Sequence, residues 1–326
     1  MTKPADTYVN EKSEMSFTET ENDEDDKNDA PSEDLPKLLE VPVNTKAEDI
    51  HYHSEDDIDL GRAMRRCRSN GENIYLVYGA PDLYIMPIGA DEHSRVNIDN
   101  PEGMDVCNIA MDTCGRIHLL MSRNGDEWFI WRLDEDYQID SVIDISAYFE
   151  TKQLPGWFLV DKDGTYYLQW SNANRDGIIV DSEGALKYRF TPKSLGTGWT
   201  YQAAVGKDGQ IYLIHSERGE KLEIGELDVE NCSLKNEDSS LCFSGDETFS
   251  VMSGGTDTNL LLFSPYSGVW ACDTETGVME NRVPLSDIGF SSDTEFCPLA
   301  FLSDGRLFLL GYVGNDYYLK YIPVGK

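Results

Sequence analysis

Positive charge is in short supply in this chain. Its 326 residues carry 27 Lys and Arg against 60 Asp and Glu, a formal net charge of -33. A field of that sign repels phosphate backbones and anionic headgroups, so neither nucleic acid nor a membrane surface is an expected partner. No apolar run approaches the roughly 20 residues that a spanning helix needs, and the first residues are polar rather than those of a signal peptide. A soluble chain without direct membrane insertion is the expectation. Among the seven cysteines there is no CxxC pair, and an odd count in a chain of this length is no disulfide framework, although local bridges between Cys107 and Cys114 or Cys232 and Cys242 have workable spacing. GxSxG, HExxH, P-loop and EF-hand patterns are all missing, so no catalytic residue, metal or cofactor can be nominated. Of the five histidines, His51 and His53 in "HYH" have the spacing of some metal sites but read as solvated linker beside "SEDD". His118 and His215 read as packed within strands.

Apolar and aromatic residues, by contrast, are plentiful. They make up 40% and 11% of the chain, with 17 Tyr and 12 Phe, enough for a sizeable core rich in strand formers. Only the beginning differs. The stretch "MTKPADTYVNEKSEMSFTETENDEDDKNDAPSEDLP" is crowded with Asp, Glu, Ser and Thr and cannot bury enough surface to offset its ordering entropy. Residues 1–35 are therefore expected to be a disordered acidic tether, and 36–326 a folded domain.

Within that domain one device returns. "SNGENIYLVYG" begins at 69, "TCGRIHLLMS" at 113, "KDGTYYLQWS" at 162, "KDGQIYLIHS" at 207, "GTDTNLLLFSP" at 255 and "SDGRLFLLGY" at 303, spacings of 44, 49, 45, 48 and 48 residues. A period in the mid-forties points to a repeat array. Each turn is preceded by a short apolar run such as "VCNIAMD" or "GWFLVD", and Asp-Gly or Asn-Gly supplies the positive φ angles of a tight hairpin. A polar break, a third strand such as "WFIWRLD" and a fourth such as "ALKYRFTP" complete the unit. Four antiparallel strands in a meander are the blade of a β-propeller. Six units predict an all-β, six-bladed ring. The last unit stops after its third strand, and "PKLLEVPV" at 36–43 can supply the fourth, closing the ring within one blade.

The unit resembles the NHL-like and YVTN-like propeller repeats over residues 37–326. It lacks the Gly-His and Trp-Asp pairs of WD40 repeats and the Gly-Gly pairs of kelch repeats. An acidic tether ahead of a divergent ring is also similar to the propeller portions of surface lipoproteins from Gram-positive bacteria. That resemblance implies an extracellular, cell-surface protein with a signal peptide and a lipid-modified cysteine upstream of this chain. No partner subunit is implied, and a monomer is expected.

Asp163, Asp208 and Asp304 sit in the hairpin turns and are accounted for by turn chemistry alone. Recognition is left to the loops between second and third strands and between blades, which share one face of a propeller. Those loops or their margins carry Trp157, Trp170, Trp199, Tyr201, Tyr266, Phe296 and Tyr312, with Arg123, Arg175 and Arg218 among them. Aromatic faces beside cations and amides suit a sugar ring or an extended peptide. Trp157 and Tyr201, at strand starts, read more simply as wedges between blades, whereas Trp170, Asn172, Asn174 and Arg175 in "QWSNANRDG" form the set expected to be exposed. The expectation is a non-enzymatic binding or scaffold module. Its rival is a lactonase- or glycosidase-like hydrolase with scattered metal or carboxylate ligands in the central channel, since six-bladed rings also host such enzymes.

Overall fold

The recurring turn is organised by an aspartate ahead of the glycine. Asp112 accepts the Gly115 N–H on its main-chain carbonyl (3.0 Å) and donates its own N–H to Arg116 O (3.1 Å), while its Oδ1 accepts the N–H groups of Cys114 and Arg116, both at 2.9 Å. Asp161 and Asp181 repeat this pattern. The chain then turns back through one left-handed residue, with φ of 82° at Gly115 and 81° at Gly164, where a side chain would strain the backbone. Only the glycine takes positive φ, so these are three-residue hairpin loops rather than the two-residue kind expected from Asp-Gly. The capping acid is correspondingly Asp161, and Asp163 donates its N–H to it.

The computed structural model describes residues 67–70, 72–78, 82–87, 94–100, 102–149, 154–170, 176–197, 199–206, 208–216, 222–235, 240–241, 250–253, 260–264, 266–274, 276, 278–288, 295–301, 306–313 and 316–323. Among them, strands form six antiparallel sheets. The first contains β1 (Cys67–Ser69), β2 (Asn73–Tyr78), β3 (Asp82–Pro87) and β4 (Ser94–Asn97). The second contains β5 (Asp105–Met111), β6 (Ile117–Arg123), β7 (Glu127–Leu133) and β8 (Ile139–Asp144), and the third β9 (Pro155–Val160), β10 (Tyr166–Trp170), β11 (Gly177–Val180) and β12 (Leu186–Phe190). The fourth has β13 (Trp199–Val205), β14 (Ile211–Ser216) and β15 (Leu222–Asp228), with β15 flanked by two short strands, β16 (Ser233–Leu234) and β17 (Ser240–Leu241). The fifth has β18 (Ser250–Ser253), β19 (Leu260–Ser264), β20 (Gly268–Cys272) and β21 (Met279–Pro284). In the last, β22 (Glu295–Phe301), β23 (Arg306–Val313) and β24 (Asp316–Pro323) make three strands, as the sequence led us to expect. The segment 36–43 read as its fourth strand lies outside the described residues.

First strands of successive sheets lie against one another in chain order, β1 against β5, then β9, β13, β18 and β22, and β22 lies against β1. Cyclic contact between first strands of four-stranded meanders is the arrangement of a β-propeller. The period of 2 in each strand sends alternate side chains to opposite neighbours. Ile117, Leu119 and Met121 pack with Tyr75 and Val77 of the first sheet, whereas Leu120, Trp128 and Ile130 pack with Phe158, Tyr166, Leu168 and Trp170 of the third. Tyr167 and Ile179 face the other way, onto Ile211 and Leu213. Strands such as β10 are therefore buried on both faces and read as continuous apolar runs. No helix among the described residues is long and apolar enough to cross a membrane.

Each sheet has two unlike ends. The hairpin turns after first and third strands share one end, called here the turn end. Loops after second strands and those joining sheets share the other, the loop end.

Candidate functional site

Acid is concentrated at the turn end but is committed there. The carboxylates of Asp112, Asp134, Asp161, Asp181 and Asp228 each accept main-chain N–H groups of their own turns. Among the described residues no group of three or more His, Cys, Asp or Glu side chains is placed to hold a metal ion. Between the second and third sheets, His118 Nδ1 lies 3.0 Å from Tyr166 OH and Nε2 lies 3.4 Å from Asp112 Oδ2. The Asp112 carboxylate accepts from Nε2, and Nδ1 shares a hydrogen bond with the Tyr166 hydroxyl. Burial raises the Asp112 carboxyl, but hydrogen bonds from His118 and from the Arg116 main chain and guanidinium outweigh it and hold the group far below the usual carboxylate range. Burial likewise pushes the Tyr166 phenol up to about 12, with the Arg132 and Arg116 charges opposing. His118 and Tyr166 are both buried, so this chain of hydrogen bonds clamps one sheet to the next and offers no atom to a substrate.

Comparable clamps recur at the same end. Tyr75 OH lies 3.4 Å from Tyr137 OH between the first and second sheets, and Thr274 Oγ1 donates to Tyr212 OH at 3.3 Å between the fourth and fifth. His118 and His215 are buried within their sheets, as expected. Cys107, Cys114, Cys232 and Cys272 form no disulfide, which removes both local bridges.

The loop end is different. Trp128 is the second residue of β7, and its ring stacks on Phe149 at 4.7 Å between centroids and 11° between planes. Phe149 in turn meets Trp170 edge-on at 5.3 Å. The loop that carries Phe149 is stitched down: Ser146 Oγ accepts the Trp128 N–H at 2.9 Å, and Tyr148 OH reaches the turn between β11 and β12, donating to Gly184 O at 2.9 Å. Within this group, and among the described residues, Trp128 Nε1 and Trp170 Nε1 are buried without a hydrogen-bond partner, and so is Ser122 Oγ, whose residue pairs directly with Trp128 across β6 and β7. A buried polar group left in that state costs about 1–3 kcal/mol. Trp131 Nε1 is unpartnered too, on the opposite face of β7.

The sequence-predicted residues divide accordingly. Trp170, expected to be exposed, is only 6% exposed. It shares its strand face with Tyr166 and Leu168, and that face packs against the second sheet. Arg123 is at the loop end but occupied: it forms ion pairs with Glu102 and with Glu127 (3.0 Å), and its guanidinium lies over the Phe129 ring at 5.4 Å. Tyr266 is freely exposed at 65%. Trp199, Tyr201, Phe296 and Tyr312 are placed by their backbone on β13, β13, β22 and β23. Asn172, Asn174, Arg175 and Arg218 lie outside the described residues, as do His51, His53 and Asp304. Trp157 wedges between sheets as read, its indole N–H donating to Gln202 Oε1 at 3.3 Å. Sequence reasoning missed Trp128, Phe149 and Ser122. Trp128 carried a signal, because it follows the loop "RNGDE" and is in phase with Ile130.

No family model matches the chain, and no curated protein does. Solved structures do. An oligogalacturonate lyase in complex with manganese is 12% identical, over 78% of this chain and 74% of its own, with a TM-score of 0.51. The Malassezia sympodialis allergen Mala s 1 is 10% identical, over 80% and 92%, with a TM-score of 0.48. The Cps50 β-propeller domain of Myceliophteria thermophila is 12% identical, over 79% and 82%, with a TM-score of 0.47. At such identities likeness speaks to fold alone, and the fold is a β-propeller, as the cyclic contacts of the first strands require.

Proposed function

We propose that this chain is a six-bladed propeller, closed by residues 36–43 as the outer strand of the last blade, that works as a non-enzymatic binding module. It recognises a carbohydrate or a peptide at its loop end. In this reading it acts outside the cell as a monomer, carried at the surface on the acidic tether of residues 1–35. One observation carries the proposal: the two ends of the sheets treat polar groups differently. At the turn end carboxylates and phenols are spent on local turns and clamps. At the loop end an aromatic group keeps three buried donors unpartnered, Ser122 Oγ, Trp128 Nε1 and Trp170 Nε1. Recognition sites combine mostly apolar walls with a few directional polar groups in this way.

The test is a screen of the full chain on glycan and peptide arrays, followed by titration of any hit. Saturable binding to one ligand class supports a binding module. No binding on either array, from protein shown to be folded by near-UV circular dichroism, overturns it in favour of a purely structural ring.

A further inference from the structure

Resting on that reading, we infer that the seam between the second and third sheets at the loop end is the binding site, that its ligand is an uncharged sugar ring, and that Phe149 stands where that ring stacks. Trp128 is 2% exposed, and what covers its indole face is Phe149, itself only half-buried. Phe149 is the outermost ring of the three, and it follows the short 3-10 turn Ser146–Tyr148 in extended backbone. Rotation about its own side-chain bonds uncovers Trp128 while the turn stays anchored through Ser146 and Tyr148.

The chemistry of the donors selects the ligand. Ser122 Oγ, Trp128 Nε1 and Trp170 Nε1 are neutral donors beside an aromatic face. A pyranose offers the complement, a flat C–H face for the indole and ring and hydroxyl oxygens for the donors. Among these three donors a full negative charge finds no such complement. The chain carries a net charge of -33, and Arg123, at the loop between β6 and β7, is held by Glu102 and Glu127. One unpartnered indole is not enough to mark a site, as Trp131 shows on the other face of β7. The seam adds a second indole, a hydroxyl and a covering ring that can leave.

The test is calorimetric titration of the full chain and two variants with neutral oligosaccharides of glucose, mannose, galactose and xylose, with uronate oligosaccharides alongside. Phe149→Ala removes the ring that the ligand must displace, and affinity is expected to rise roughly two- to tenfold. Trp170→Phe keeps an aromatic ring and removes one donor, and affinity is expected to fall by about tenfold. Binding of a neutral sugar that neither variant alters leaves the binding module standing and overturns the seam as its site. Preference for uronates or for a peptide overturns the ligand class. If neither the wild-type chain nor Phe149→Ala binds any sugar or peptide, the binding reading itself falls.

Discussion

Gly209 and Gly103 test whether turns of neighbouring sheets meet at the turn end. Both residues are left-handed, with φ of 76° and 62°, so alanine at either position incurs the same backbone penalty, about 1–2 kcal/mol. Their surroundings differ. A Cβ on Gly103 meets nothing within 4 Å, whereas one on Gly209 falls 2.6 Å from Lys162 Cβ and 2.7 Å from Thr113 Cγ2, atoms of the corresponding turns of the third and second sheets. Neither neighbour yields easily, because Lys162 Cβ is fixed to a main chain that donates to Gly209 O at 2.8 Å, and Thr113 is β-branched. Overpacking of this kind adds about 1–3 kcal/mol. Gly209→Ala should therefore lose about 2–5 kcal/mol and Gly103→Ala about 1–2 kcal/mol, read as a shift in the urea midpoint at constant m. Thr113→Ser deletes the clashing methyl and should restore part of the loss in the Gly209→Ala background but none in the Gly103→Ala background, as a double-mutant cycle. Equal losses at the two glycines, or no recovery with Thr113→Ser, would refute the convergence of turns.

Four further expectations concern individual positions. The Asp112 carboxyl is depressed in the folded chain, so its stabilisation is present above the unfolded value of about 3.9 and lost as pH falls below it. Asp112→Asn should thus cost about 1–3 kcal/mol at neutral pH and progressively less in acid, measured as urea midpoints from pH 7 to pH 3. Asp161 in the same turn position has its carboxyl raised, chiefly by burial, so Asp161→Asn should cost less at neutral pH than Asp112→Asn, and a larger cost would contradict the assignment. Burial, with the Asp273 charge, pushes the Cys272 thiol up to about 12, whereas Cys114 is exposed; iodoacetamide at pH 8 followed by peptide mass spectrometry should label Cys114 in the folded chain and Cys272 only after unfolding. Gly177→Ala drives a Cβ to 2.2 Å from Leu168 O and 2.4 Å from Phe190 Cζ, and about 3 kcal/mol or more should be lost, with wild-type stability the contrary result.

Repetition made the fold legible. An Asp-x-x-Gly turn between two strands of period 2 recurs at Asp112, Asp161 and Asp181, and each copy carries its own capping acid and its own left-handed glycine. Where the glycine is replaced, at Tyr137 with φ of 59°, the Asp134 cap and the hairpin persist, so the acid and the strand pattern suffice there. Contact between β22 and β1 was legible only through the count of repeats, as the closure of a ring, since no local pattern records it. Aromatic identity at the loop end could be read, but exposure was misjudged for Trp170. Counting by twos from Tyr166 through Leu168 places Trp170 on the same buried face, and the neighbouring polar loop obscured that phase. Phe149 had no phase to count from, since it follows a 3-10 turn rather than a strand.

The contrast between the two ends of one seam weighs most in favour of a site. Along the interface of the second and third sheets, Asp112, His118 and Tyr166 satisfy one another at the turn end through contacts of 3.0 and 3.4 Å. At the loop end the same two sheets bury Ser122, Trp128 and Trp170 with donors unpartnered. Phenylalanine at the two tryptophan positions would fill an aromatic seam without that cost, and alanine would serve at Ser122. Buried polar groups are otherwise almost always satisfied, and exceptions concentrate where a protein gives up stability for function. A packing role explains the three rings but not the three donors. Recognition explains both, and it places the demand for a hydrogen-bond acceptor beside the ring, Phe149, that is least buried of the three.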